Sequence, residues 1–121
     1  MKYVDGFVLV VPKKKVEEYK KIAKKAGKIW KKYGALEYFE CVGDDLNPKW
    51  AKLTFPKMVK LKPSETVWFS FITYKSKAHR NAVNKKVMKD PFMTDPKNKD
   101  MAMPFDMNKM AYGGFKAMVE E

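Results

Sequence analysis

The side chains able to do chemistry are few in this chain. His79 is its only imidazole and Cys41 its only thiol, while carboxylates gather once, as Glu37, Glu40, Asp44 and Asp45. One histidine and one cysteine exclude a multi-histidine metal centre, a zinc module and an internal disulfide. Carboxylates alone suit magnesium or calcium, but their spacing matches no known loop, so no metal is expected and the cluster reads as a surface paired with lysines. Strand alternation puts Glu37 and Glu40 on opposite faces, so only one of them can share a site with the two aspartates. Cys41 reads as a small buried thiol. His79 and Asp106 are the candidate bases for proton transfer, and His79 is also the one side chain that could ligate a haem.

A second set of residues is built for apolar contact. Met88, Met93, Met101, Met103, Met107 and Met110 crowd one stretch of the chain, and flexible thioethers make an adaptable lid. Phe92 and Phe105 add rigid surface to that lid. The expected ligand-binding residues are Trp68, Ser70, Tyr74, Asn84, Phe105, Met107 and Tyr112, with Trp30 as a further wall and Asp106 as a further polar group. They predict a small apolar or aromatic molecule held between a sheet and loop 91–108, with no cofactor. Oxygenase-like chemistry there would need an electron-rich substrate in a dry pocket beside a base.

The charge offers a different chemistry. Of 26 basic residues only Arg80 is an arginine, and the formal net charge is +12. Residues 13–34 hold ten lysines against Glu17 and Glu18. The alternative function is therefore non-specific polyanion (RNA) binding through Lys20, Lys21, Lys24, Lys25 and Lys28. Scarcity of arginine argues against bidentate reading of bases or phosphates, and a solvated basic face is the favoured account of the lysines.

These residues need elements to hold them. Tyr3–Val11 reads as a strand closed by Pro12. Val16, Tyr19, Ala23, Ala26, Trp30 and Tyr33 then recur at helical spacing, with Ile22 and Ile29 widening the stripe, and Gly34 supplies a left-handed cap. Ala35–Val42 alternates as a second strand. An insertion over 46–64 carries Trp50, Leu53, Phe55, Met58 and Leu61 as apolar anchors among prolines. Thr66–Tyr74 is the most strand-like segment and is apolar on both faces. Ser76 caps a helix over 77–89 whose inward residues are Ala78, Ala82, Val83 and Val87. Loop 91–108 leads to a final strand, Met110–Val119, broken by Gly113 and Gly114.

With 121 residues there is one domain, 1–121. The order strand, helix, strand, strand, helix, strand predicts an α+β, ferredoxin-like βαββαβ fold, a four-stranded antiparallel sheet with both helices on one face. The apolar residues of the other face then need cover, and a twofold homodimer packing sheet on sheet provides it. No apolar run is long enough to span a bilayer and no signal peptide is evident, which predicts a cytoplasmic protein with no membrane partner.

Lys2–Val8, Ala35–Asp45, Val87–Pro91, Met103–Met107 and Met110–Phe115 together resemble the YbaA-like family of uncharacterised bacterial proteins, in order and over the whole chain. The resemblance implies a dimeric α/β-barrel fold, shared with cofactor-free monooxygenases, chlorite-dismutase-like haem proteins and ligand-binding stress proteins. It implies no established activity and supplies no catalytic residues.

Overall fold

The computed structural model describes residues 1–99 and 103–121. Strand β1 (Tyr3–Pro12) enters a 3-10 turn, Lys13–Lys15, and helix α1 (Val16–Lys32). β2 (Glu37–Val42), a one-turn helix α2 (Phe55–Met58) and β3 (Glu65–Tyr74) follow. Helix α3 (Lys77–Val87), the short turns α4 (Pro91–Thr94) and α5 (Pro96–Lys99), a 3-10 turn Met107–Lys109 and β4 (Ala111–Lys116) complete the chain. The four strands form one sheet in the order β2-β3-β1-β4, antiparallel throughout.

Register assigns the faces. Leu9 pairs with Trp68, Phe7 with Ser70 and Tyr3 with Tyr74, while Glu40 lies opposite Ser70 on the other side of β3. These side chains point toward α1 and α3. One apolar cluster joins Tyr3, Ile72 and Tyr74 to Val83 and Val87 of α3, and a second joins Leu9, Val11 and Trp68 to Tyr19 and Ala23 of α1. The opposite face carries Val4, Val8, Phe39, Phe69, Phe71 and Phe115, of which Phe39, Phe69 and Phe115 are exposed. Phe39 stacks on Phe71 with ring centres 4.9 Å apart.

Local chemistry sets the helix ends. Gly34 takes φ +114°, a conformation that favours glycine, and ends the turn after α1. Ser76 accepts from the His79 amide at 3.1 Å and starts α3. Across the core, Arg80 Nη1 donates to buried Asp5 at 2.7 Å and to the Tyr112 hydroxyl at 2.6 Å, tying α3 to β1 and β4.

Several expectations are corrected. Helix α3 ends at Val87 and buries Val83 and Val87, but Ala78 and Ala82 are exposed because only one narrow stripe meets the sheet. β4 stops at Lys116, which pairs with Tyr3 at the start of β1, so there is no partner strand for residues up to 119. Loop 91–108 contains helical turns: Asp90 accepts from the Phe92 amide at 2.9 Å with Pro91 at the first helical position, and Asp106 caps the 3-10 turn through Asn108. Cys41 is exposed, since β2 is an edge strand and the thiol lies on the open face. In the insertion, Trp50 is 86% exposed and Leu53 and Met58 are also exposed, so these three are not buried anchors; Leu61 is half-buried, and Phe55 meets Phe69 of the sheet edge-on.

Candidate functional site

A cavity of about 220 Å³ lies between α1, the sheet and the segment ahead of β4. Phe7, Leu9 and Ile72 form its floor, Tyr19, Ile22 and Trp30 line it from α1, and Met103, Phe105 and Met110 close it. Phe105 meets the Tyr19 ring edge-on at 5.8 Å, and Tyr19 in turn meets Trp68 edge-on at 4.9 Å.

The polar centre of this wall is Glu40. Its Oε2 accepts from the Ser70 hydroxyl at 2.7 Å and from the Tyr19 hydroxyl at 2.9 Å; its Oε1 accepts from the Tyr38 hydroxyl at 3.2 Å and lies 3.0 Å from the same Tyr19 oxygen. The three hydroxyls come from three elements, α1, β2 and β3. Tyr38 and Glu40 meet because they are two apart on one strand face, and the β2–β3 register places Ser70 beside them. No ion pair reaches Glu40 among the described residues. Burial, reinforced by the Glu40 charge and its hydrogen bond, pushes the Tyr19 and Tyr38 phenols well above their ordinary range, so both stay protonated donors. An ionised carboxylate offers about four lone-pair directions. Three hydroxyls make four contacts with the two Glu40 oxygens, Tyr19 reaching both, and the carboxylate so held borders the cavity.

Of the expected binding residues, Ser70 and Phe105 line this cavity. Trp68 borders instead a larger groove outside it. Tyr74 is fully buried, and Asn84 accepts from Trp30 Nε1 at 3.1 Å, so it holds a wall of the cavity from behind. Tyr112 belongs to the Asp5–Arg80 cluster, and Met107 is exposed. Met101 lies outside the described residues. His79 accepts the Lys75 amide through Nδ1 at 3.0 Å and packs against Tyr74, and Asp106 is exposed as a cap; neither candidate base lines the cavity. Among the described residues no three His, Cys, Asp or Glu side chains are grouped to hold a metal. The residues missed by sequence reasoning are Tyr19, read as part of an apolar stripe, Tyr38 of the second strand, and Glu40 as the centre of a site.

The groove measures about 920 Å³ and runs between α1 and β2, bordered by Val16, Lys20, Lys24, Lys28, Tyr38 and Val42 among others. The five lysines proposed for polyanions divide here, since Lys20, Lys24 and Lys28 border the groove and Lys21 and Lys25 do not.

A four-stranded antiparallel sheet with two helices on one face and a cavity beneath them is a ferredoxin-like α+β domain. The chain belongs to the family described as protein of unknown function DUF1428, which matches residues 2–107. It is 44% identical over 121 residues to the uncharacterized protein YbaA of Escherichia coli K12, covering 100% of both chains, and equally to that of Shigella flexneri. Among solved structures it is similar to a dimeric ferredoxin-like protein from an uncultured marine organism, with TM-score 0.63, 13% identity and 100% of both chains covered. It is also similar to an uncharacterized NIPSNAP domain protein from Burkholderia xenovorans, with TM-score 0.54, 16% identity and coverage of 98% and 99%. At these identities the two structures speak for the fold. No helix among the described residues is long and apolar enough to cross a membrane.

Proposed function

We propose that this protein is a homodimer that binds a small aromatic molecule bearing a hydroxyl or amino group. The observation that carries the proposal is Glu40, a carboxylate on the wall of an aromatic cavity, held in place by three hydroxyls, one of which a ligand donor can replace. A dry cavity of about 150 Å³ accommodates benzene, so the space here suits one substituted ring or two fused rings. Trp30, Phe7 and Phe105 supply apolar walls, Met103 and Met110 adapt to the ligand's outline, and a phenol or aromatic amine donates to Glu40. The exposed phenylalanines of the open sheet face support the homodimer, because a second copy buries the same patch against itself. The similar marine protein is itself dimeric.

Binding of p-cresol and of toluene, followed by amide chemical shifts, tests the site. The expected result is saturation at one site per chain, with p-cresol favoured by about tenfold, the worth of one hydrogen bond to a charged acceptor. Glu40→Gln brings p-cresol down toward toluene. Absence of saturation, or equal affinities for the two molecules, would overturn the site. Sedimentation equilibrium tests the dimer: twice the chain mass is expected, falling to one chain in Phe39→Glu/Phe115→Glu, and a monomeric parent protein refutes it.

A further inference from the structure

The groove between α1 and β2 has its own polarity. Lys20, Lys24 and Lys28 stand one helical turn apart along its rim, and none has an ion-pair or hydrogen-bond partner among the described residues. Lys31 continues the row and donates to the Leu36 carbonyl at 2.6 Å. The floor and far side are apolar, formed by Val16, Ala23, Gly27, Val42 and the ring of Trp68. Gly27 keeps the floor low, since a Cβ there would lie 2.9 Å from the Tyr38 ring. The helix rises about 1.5 Å per residue, so the row from Val16 to Lys31 is roughly 22 Å long.

Charge is distributed along that length. Glu17 borders the groove beside Val16, whereas Lys24, Lys28 and Lys31 border it beside Gly27. Glu40, the other acid of the lining, turns its oxygens to Tyr19, Tyr38 and Ser70. The Val16 end therefore carries Glu17 and Lys20 with opposite charges, and the end at Lys24, Lys28 and Lys31 is the more basic. Trp68, only 4% exposed, closes the groove from the sheet side.

We infer that this groove binds a free single-chain anionic amphiphile, with its headgroup at Lys24 and Lys28 and its hydrocarbon chain along Gly27, Ala23 and Trp68 toward Val16 and Val42. Three unpaired ammonium groups beside an apolar floor complement such a molecule, whereas a row on one helix edge is narrow for a nucleic acid, which would also engage Lys21 and Lys25. The groove shares Ala23, Tyr38 and Glu40 with the wall of the aromatic cavity, whereas its lysines do not line that cavity, so variants of the lysines test the groove alone.

Calorimetric titration of the full chain with decanoate, below its micellar concentration, tests the inference, with 1-decanol as the uncharged probe. Decanoate binds once per chain and exceeds decanol by about tenfold. Lys20→Glu/Lys24→Glu/Lys28→Glu loses at least about tenfold in decanoate affinity, while Lys14→Glu/Lys21→Glu/Lys25→Glu, with the same change in net charge, stays within about twofold. Val42→Glu, at an exposed position on the edge strand, also weakens decanoate. Equal losses in the two triple variants would reduce the effect to diffuse charge and overturn the inference. Equal binding of decanol and decanoate, or binding to phosphatidylglycerol vesicles without binding of free decanoate, would overturn it as well.

Discussion

Replacing Glu40 by leucine removes an acceptor shared by three hydroxyls. Ser70 and Tyr19 are buried against an otherwise apolar cavity, so their O–H groups lose their acceptor, while the half-buried Tyr38 can turn toward the groove. A buried donor left unsatisfied costs about 1–3 kcal/mol. Two such groups, offset by the burial of leucine methyl groups and by the relief of desolvating a carboxylate, give a net loss of about 2–4 kcal/mol. Glu40→Gln keeps one acceptor oxygen and the side-chain shape, for a loss of about 1–2 kcal/mol. Urea unfolding followed by tryptophan fluorescence at fixed protein concentration measures both, provided the slope with denaturant stays constant. Alkaline difference spectroscopy gives a second readout. Two of the causes that raise Tyr19 and Tyr38, the charge of Glu40 and its hydrogen bond, vanish in Glu40→Leu, so both phenols ionise at lower pH than in the parent, although burial still holds them up. A Glu40→Leu protein as stable as the parent, with an unchanged alkaline titration, would refute the hydroxyl-supported carboxylate.

Three further outcomes are expected. Arg80→Ala strands Asp5, whose side chain is 3% exposed, without its cation, and costs about 3–5 kcal/mol; Asp5→Asn/Arg80→Met recovers part of that in thermal unfolding, and full stability of the single variant would contradict the placement. Gly27→Ala gains about 1 kcal/mol of helix propensity but meets the Tyr38 ring at 2.9 Å, an overpacking cost of about 1–3 kcal/mol, for a net destabilisation of up to about 2 kcal/mol by urea unfolding. The Tyr33 hydroxyl, then the Phe92 amide and Lys32, hold the Asp90 carboxyl below its ordinary range. Because the folded form releases this proton more readily than the unfolded chain, the stabilisation is complete above about pH 4 and is lost as the pH falls further. Asp90→Asn therefore flattens the acid limb of stability against pH, and an unchanged limb would show that Asp90 does not titrate differently on folding.

The order of strands and helices was legible because each element carries a local signal. The stripe Val16, Tyr19, Ala23 encodes α1, Gly34 its end and Ser76 the start of α3. The two-faced apolarity of Thr66–Tyr74 marked a strand, and β3 pairs on both sides within the sheet. Glu40 was visible only as one member of an acidic run, because the groups that define it, Tyr19 and Ser70, lie 21 and 30 residues away and meet it only through register and helix rotation. Exposure at Cys41 and Trp50 was equally hidden, since an apolar pattern shows that a residue needs cover and not whether its own chain supplies it. The lysines of 13–34 read as one basic face, yet helix rotation puts Lys20, Lys24 and Lys28 beside an apolar floor and leaves Lys21 and Lys25 out of it.

A crystal structure of the protein grown with p-cresol tests the central claim most directly. The account predicts the ring between Trp30 and Phe105 with its hydroxyl about 2.7 Å from a Glu40 oxygen, beside Ser70 and Tyr38. A cavity filled by its own side chains, or p-cresol bound elsewhere with Glu40 still served only by its three hydroxyls, would contradict it.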